Sequence, residues 1–153
     1  MSSSLGTEAL LLLRLALAAA LAAALGWERE QAGKPAGLRT HMLVGLASAL
    51  YTALGTLAIA SAQELPQSIR GDPVRVIQGV ALGIGFLGGG VISVGRSGSH
   101  DHYLTTAASI WSTAAIGIAA GFGHYLLAIG ATVLQLIILH AFVRLEHRTT
   151  PPP

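Results

Sequence analysis

Charged side chains within apolar sequence are the first candidates for chemistry in this chain. Arg14 lies near the middle of an apolar run at residues 5–25. A charged residue at the centre of a bilayer costs about 2.5 to 3.5 kcal/mol on translocon scales, and such residues usually face the bundle interior and have a partner. We therefore predict a polar contact for Arg14 within the fold. The alternative is a snorkelling Arg14 whose pairing is only structural.

The beginning of a later apolar run, at residues 74–94, supplies candidate partners for Arg14. Arg14 and Gln78 lie at comparable depths when each is counted from the outer end of its own run. Asp72 comes within reach if the Arg14 side chain extends outward. Pro73 suits the first position of a helix, with Asp72 as its N-cap. The predicted buried polar site consists of Arg14, Asp72, Arg75 and Gln78.

Further polar residues lie where apolar runs begin and end on the opposite side of the membrane. Glutamates follow the first run, a basic segment with a histidine opens the second, and threonines open the fourth. If the helices pack together, these groups converge on one cytoplasmic mouth. Ordinary helix capping is the alternative, and it explains the threonines more easily than the charged residues. The predicted cytoplasmic-mouth cluster is Glu28, Arg29, Glu30, Arg39, Thr40, His41, Thr105 and Thr106, with Ser109 one turn further on.

Three short motifs are explained better by helix packing or solvated loops than by chemistry. The G-x-G-x-x-G match at residues 83–88 lies inside an apolar run, whereas a dinucleotide site needs a preceding strand and a following acid. Ser97 of the G-R-S-G segment lies in a polar loop, not at the helix start that an intramembrane serine protease needs. His100 and His102 alone are a weak signal for a metal site. We predict no enzyme activity, no metal site and no cofactor.

The composition favours lipid as the solvent of this chain. Of its 153 residues, 52% are hydrophobic and 10% are charged, and the mean hydropathy is +0.64. A soluble domain has about 25% charged residues, so this chain has too few charges to cover a soluble surface. The absence of cysteine excludes a disulfide framework and a cysteine-based metal site. The basic residues are spread over several loops, so nucleic-acid binding is not predicted.

Five apolar runs predict an all-α polytopic membrane protein, a bundle of about five transmembrane helices, because about 20 apolar residues span a bilayer. A cleaved signal peptide is the alternative for the first run, but Glu8 and Arg14 argue against it. Six basic residues on one side against two on the other predict a cytoplasmic C-terminus and an N-terminus outside. The predicted domain covers 1–148, with helices at 5–25, 41–62, 74–94, 104–120 and 125–143 and a disordered tail at 149–153.

The third run is rich in glycine, which predicts that it forms the central helix of the bundle. Small residues let helix backbones approach closely in a bilayer. Gly117 and Gly121 in the fourth run have the same G-x-x-x-G spacing. The predicted packing glycines of the third run are Gly79, Gly83, Gly85, Gly88 and Gly89.

Four motifs in order cover nearly the whole chain: GWEREQAGKPAGLRTHMLV (26–44), DPVRVIQG (72–79), GIGFLGGGVI (83–92) and LTTAASIWSTAAIG (104–117). Together they resemble the MgtC/SapB family of bacterial inner-membrane proteins. By position, the resemblance implies that the family's characteristic polar residues are Glu28, Arg29, Glu30, Arg39, Thr40, His41, Asp72, Arg75, Gln78, Thr105 and Thr106. Gly89 stands where alanine is usual, and His102-Tyr103 stands where a basic residue and glycine are usual. The cytoplasmic domain of the longer virulence members is not expected here.

The resemblance implies a five-helix membrane domain and a link to growth in low magnesium and, in some pathogens, to survival inside host cells. It also implies a regulatory role through partners that include the F-type ATP synthase. Two hypotheses follow. The first is a non-enzymatic protein of ion homeostasis or stress adaptation that acts through a membrane partner, a second copy or a small ligand. It predicts closed-off polar groups and an exposed small-residue surface. The second is a transporter or channel, which predicts a continuous polar cavity from Glu28 and His41 to Asp72.

Overall fold

The computed structural model describes residues 2–62, 71–94 and 100–149, and its side chains at 5–62, 71–94 and 103–141. The described residues form helices and turns, with no strand among them. The predicted all-α bundle of five helices is confirmed. The helices are α1 (Ser2–Gln31), α2 (Leu38–Ser61), α3 (Pro73–Val94), α4 (His100–Phe122) and α5 (Tyr125–Thr149).

Helices α1 to α4 are each long and apolar enough to cross a membrane, so the chain is a multi-pass membrane protein. The apolar part of α5, Tyr125–Ala141, is shorter. Both α1 and α5 extend beyond the predicted bounds, to Gln31 and Thr149. Thr149, which was predicted to lie in the tail, is therefore helical, and residues 150–153 lie outside the described part.

Two glycines end helices in the same way. Gly33 (φ 65°) follows α1, and Gly123 (φ 87°) follows α4. At each, the glycine N–H donates three residues back and the next N–H donates five residues back, as in Lys34 to the Arg29 carbonyl and His124 to the Ala119 carbonyl. This is the Schellman motif, in which a left-handed glycine lets the final carbonyls of a helix accept hydrogen bonds. The polar residues before Gly33 therefore remain within α1.

Helices α1, α2 and α4 form the tightly packed core of the bundle. Gly117 and Gly121 of α4 lie against the backbone of α2, where a Cβ atom at Gly121 would lie 2.8 Å from the Ala49 carbonyl oxygen. Gly45 of α2 lies against α1, where its Cβ atom would lie 2.7 Å from the Ala22 methyl group. The predicted packing role of the Gly117 and Gly121 pair is confirmed. Close backbone approach replaces the hydrophobic driving force that is missing between helices in lipid.

The glycine-rich helix α3 is peripheral, so its predicted central position is wrong. It packs mainly on α4 and less on α2. Gly88 is its buried residue, and a Cβ atom there would lie 3.6 Å from the Ala107 methyl group. Cβ atoms at the other predicted packing glycines would meet no atom of the described chain within 4 Å: Gly79, Gly83, Gly85 and Gly89. Among the predicted packing glycines of α3, only Gly88 packs against another helix of the described chain.

Substitution by leucine should distinguish the two glycine helices. We expect Gly117→Leu to lower the thermal unfolding midpoint in detergent, because overpacking typically costs 1–3 kcal/mol and here the obstacle is backbone. Gly85→Leu should unfold close to the parent protein, since its Cβ atom points into open space. Equal destabilisation by the two substitutions would contradict this packing scheme.

Candidate functional site

Arg14 joins α1 to the turn between α4 and α5. Its Nε donates to the Tyr125 hydroxyl at 3.1 Å, and its Nη1 donates to the Gly121 carbonyl oxygen at 3.1 Å. That carbonyl belongs to the last turn of α4, where helix carbonyls lack partners within the helix and the dipole favours a cation. Arg14 has the partner that its position predicted, but the partner is a helix end and not Gln78 or Asp72. The structural interpretation of Arg14 fits this geometry.

The other members of the predicted buried site lie at the exposed beginning of α3. The Asp72 carboxylate accepts a hydrogen bond from the Val74 N–H at 2.8 Å, and α3 begins at Pro73. The predicted N-cap is therefore confirmed. Arg75 and Gln78 are exposed, and Arg75 borders an otherwise mostly apolar groove of about 720 Å³ between α2 and α3. The structure does not bring these residues to Arg14, so the prediction of one buried site is wrong.

His41 is the predicted mouth residue that bridges two helices. His41 is fully buried. Its Nδ1 lies 3.0 Å from the Gly37 carbonyl oxygen and its Nε2 lies 3.2 Å from the Ser109 hydroxyl. A carbonyl can only accept, so Nδ1 carries a hydrogen, and Nε2 of the neutral ring can accept from Ser109. The Ser109 hydroxyl also lies 2.8 Å from the Thr106 carbonyl oxygen of its own helix, and its one hydrogen serves one of these two acceptors at a time. His41 thus connects α2 to α4.

Arg29 is the largest fully buried side chain among the described residues, with 1% of it exposed. Its Nη1 lies 3.9 Å from the Glu28 Oε2 atom. Nε and Nη2 of Arg29, and Oε2 of Glu28, have no hydrogen-bond partner in the described part of the chain. A guanidinium in this position is unusual, because buried charges normally have both a counter-charge and a full set of hydrogen bonds.

Gln135 of α5 completes this group, although it was not among the predicted site residues. Its Nε2 donates to the Ser109 carbonyl oxygen at 3.3 Å, and its Oε1 is buried without a partner among the described residues. A lone amide in the apolar run 125–143 was the available signal, by the same criterion that selected Arg14. We call Glu28, Arg29, His41, Ser109 and Gln135 the polar cluster.

The remaining predicted mouth residues differ in burial. Thr106 is buried, Thr40 is partly buried, and Arg39 and Thr105 are exposed. Glu30 instead caps α2, because its Oε2 accepts a hydrogen bond from the Leu38 N–H at 2.8 Å. The capping alternative therefore holds for Glu30.

The described residues contain no group of three histidine, cysteine or acidic side chains that could hold a metal ion. The side chains of His100 and His102, and Ser97 of the G-R-S-G segment, lie outside the part that the structure describes. The polar cluster does place a hydroxyl, an imidazole and an acceptor for that imidazole in series, through Ser109, His41 and the Gly37 carbonyl. Both side chains are buried, with 3% of Ser109 and none of His41 exposed.

Comparison with protein families identifies the family of this chain. The model of the MgtC family matches residues 15–148, most of the chain and every helix. The chain belongs to the MgtC family. The predicted resemblance is thereby confirmed. No solved structure matches the chain at a significant level.

Curated relatives of this MgtC-family chain come from several bacteria. It is 42% identical to Escherichia coli K12 YhiD over 137 residues, covering 90% of this chain and 62% of YhiD. It is 40% identical to protein SrpB of Synechococcus elongatus, covering 87% of this chain and 75% of SrpB. It is 37% identical to protein MgtC of Salmonella typhimurium LT2, covering 82% of this chain and 49% of MgtC. The chain thus spans about half to three quarters of the length of these relatives.

Loss of the Ser109 hydroxyl should destabilise the bundle. We expect Ser109→Ala to reduce the free energy of unfolding by about 1–3 kcal/mol, because the buried His41 Nε2 then loses its partner. Ser112→Ala is the matched control, since the Ser112 hydroxyl bonds only to carbonyls of its own helix. Thermal unfolding in detergent measures both, and equal midpoints would contradict a structural role for the contact between His41 and Ser109.

The cap on α2 should depend jointly on Glu30 and Gly37. Glu30→Ala should cost about 1 kcal/mol, as loss of an N-cap does, while Glu30→Gln keeps an acceptor and should cost less. A Cβ atom at Gly37 would lie 2.7 Å from the Glu30 carboxylate, so Gly37→Ala should displace it. We therefore expect Gly37→Ala to cost less when Glu30 is already alanine. Strict additivity in this double-mutant cycle would refute the coupling.

Proposed function

We propose that this MgtC-family protein is a bacterial inner-membrane protein of magnesium-linked homeostasis that acts by binding a membrane partner or a small ligand, and not by catalysis. The family assignment and the magnesium-related name of one relative support the physiological context. The geometry of the polar groups supports the mode of action, and it is the observation on which the proposal depends.

The buried hydroxyl groups in the middle of the bundle are satisfied locally. Thr52 donates to the Ser48 carbonyl oxygen, Thr113 to that of Ser109, and Thr132 to that of Ala128, at 2.7 to 2.8 Å. Hydroxyls that bond back to their own helix have no hydrogen left to donate to a solute. Asp72, the other end of the path that the transport hypothesis predicts, lies exposed at the beginning of α3.

An exposed small-residue surface, the second feature expected of a partner-binding protein, lies on α3. We define the glycine face as Gly79, Gly83 and Gly90, which lie on one side of α3 and where an added Cβ atom would meet nothing within 4 Å. Small residues on a membrane helix permit close approach of another helix. A membrane partner helix is therefore the proposed occupant of this face, with a second copy of the chain as one outcome of the test.

Transport is the alternative function, and one relative favours it. The E. coli relative that is 42% identical carries the name "Putative magnesium transporter YhiD". Transport by this chain would have to use the buried polar atoms that lack partners among the described residues, which belong to Glu28, Arg29 and Gln135.

Reconstitution in liposomes distinguishes the two functions. We expect no flux of Mg²⁺, phosphate or protons above that of empty liposomes, measured with entrapped fluorescent indicators. Flux that Arg29→Gln abolishes and exposed Arg39→Gln preserves would refute the binding proposal and establish transport through the polar cluster.

Site-specific photo-crosslinking in native membranes tests the partner surface. Phe86 on α3 and Leu126 on α5 are 87% and 86% exposed, which makes them matched positions. A crosslinker at Phe86 should give a defined product that Gly83→Leu removes and Gly130→Leu on α5 preserves. The product's mass distinguishes a second copy from another membrane protein, including the F-type ATP synthase. A product that forms equally at both positions, or that survives Gly83→Leu, would count against the glycine face.

A further inference from the structure

The free edge of the Arg29 guanidinium is the least explained feature of the polar cluster. The side chain is 1% exposed, yet Nε and Nη2 have no hydrogen-bond partner among the described residues. These two nitrogens form the edge of a guanidinium from which two parallel N–H groups point in one direction. That edge matches two oxygens of a carboxylate or phosphate group and binds them bidentately.

The neighbouring Glu28 restricts which anion fits. Its Oε2 lies 3.9 Å from Arg29 Nη1 and is a buried acceptor without a donor. A fully ionised anion beside this carboxylate would be repelled. An anion that keeps a proton, such as hydrogen phosphate or a phosphate monoester, can donate that hydrogen to Glu28 while its other oxygens accept from Arg29.

A groove borders Glu28 but is not lined by Arg29. It has a volume of about 520 Å³, lies between α1 and α5, and is lined by Trp27, Glu28, Gln31 and His140 among others. The Glu28 side chain is 12% exposed and borders the groove. Glu28 therefore lies between the groove and the Nη1 atom of the buried guanidinium, and an anion that enters from the groove must pass the Glu28 side chain to reach the Nε and Nη2 edge.

We propose that Arg29 and Glu28 form a binding site for a protonated phosphate group, with the Arg29 Nε and Nη2 edge as the donor pair and Glu28 Oε2 as the acceptor. The phosphate group belongs either to free phosphate or to the monoester headgroup of phosphatidic acid. The site deepens the proposed function, because it specifies the class of small ligand through which the protein acts.

Selectivity between phosphate and sulfate tests this arrangement, since sulfate has the same shape but no proton to donate at neutral pH. We expect inorganic phosphate to raise the unfolding midpoint of the full chain in detergent in a saturable way, and sulfate at equal ionic strength to have no such effect. Arg29→Lys keeps the charge but lacks the paired edge and should weaken phosphate binding tenfold or more. Arg39→Lys, at an exposed position, should leave binding unchanged.

Glu28→Gln provides a result that a structural role would not produce. An amide removes the negative charge beside the anion, so this variant should bind sulfate as well as phosphate. If Arg29→Lys does not fold, the response of Glu28→Gln to sulfate tests the site instead. Nanodiscs that contain phosphatidic acid, with phosphatidylglycerol nanodiscs as a diester control, identify whether the ligand is free phosphate or a lipid headgroup. If phosphatidic acid competes with free phosphate and phosphatidylglycerol does not, the ligand is the headgroup.

Three results would overturn the site. These are equal responses to phosphate and sulfate, phosphate binding that persists in folded Arg29→Lys, or no response to either phosphate source up to about 10 mM. A negative result here together with a crosslink at Phe86 would remove the ligand site and leave the partner-binding function standing. Phosphate binding without any crosslink at Phe86 would support the ligand site and count against the glycine face as a partner surface.

Discussion

The close approach of α1, α2 and α4 is the constraint on which the rest of the structure depends. In lipid, apolar side chains gain little by leaving one apolar environment for another, so helices associate through contact between backbones and through polar bonds. Gly45, Gly117 and Gly121 make this contact possible, because their hydrogens occupy space that a methyl group could not. Gly26 acts similarly at the end of α1, where a Cβ atom would lie 3.0 Å from that of His41.

That close contact determines the environment of the polar cluster. Where α1 and α4 lie directly against α2, His41 contacts Ser109 and the Gly37 carbonyl, and Arg29 is removed from water. The ends of the helices hold this arrangement in place. Gly33 lets α1 continue through Arg29, and Glu30 then caps α2 across a short turn. Hydrogen bonds at the helix ends and packing between the helices therefore act together to position Arg29, Glu30 and His41.

The two unexplained features of the molecule lie on different helices and suggest different interactions. The glycine face of α3 is apolar, exposed and suited to another helix, whereas the polar cluster is charged, enclosed and suited to a small anion. Coupling between the two would have to pass through α4, since α3 packs mainly on α4 and Ser109 belongs to it.

The sequence by itself determined the fold class, the number of helices and the Asp72 cap, because apolar length and capping chemistry are local properties. It also indicated that Arg14 needs a partner. Only the tertiary structure decided which partner, since a helix-end carbonyl is as good an acceptor as a carboxylate and has no signature in residue type. The same holds for α3, where glycines can permit contact without specifying a neighbour. Whether a glycine of α3 packs within this chain or faces outward depends on which helices form the core. Here α1, α2 and α4 form it.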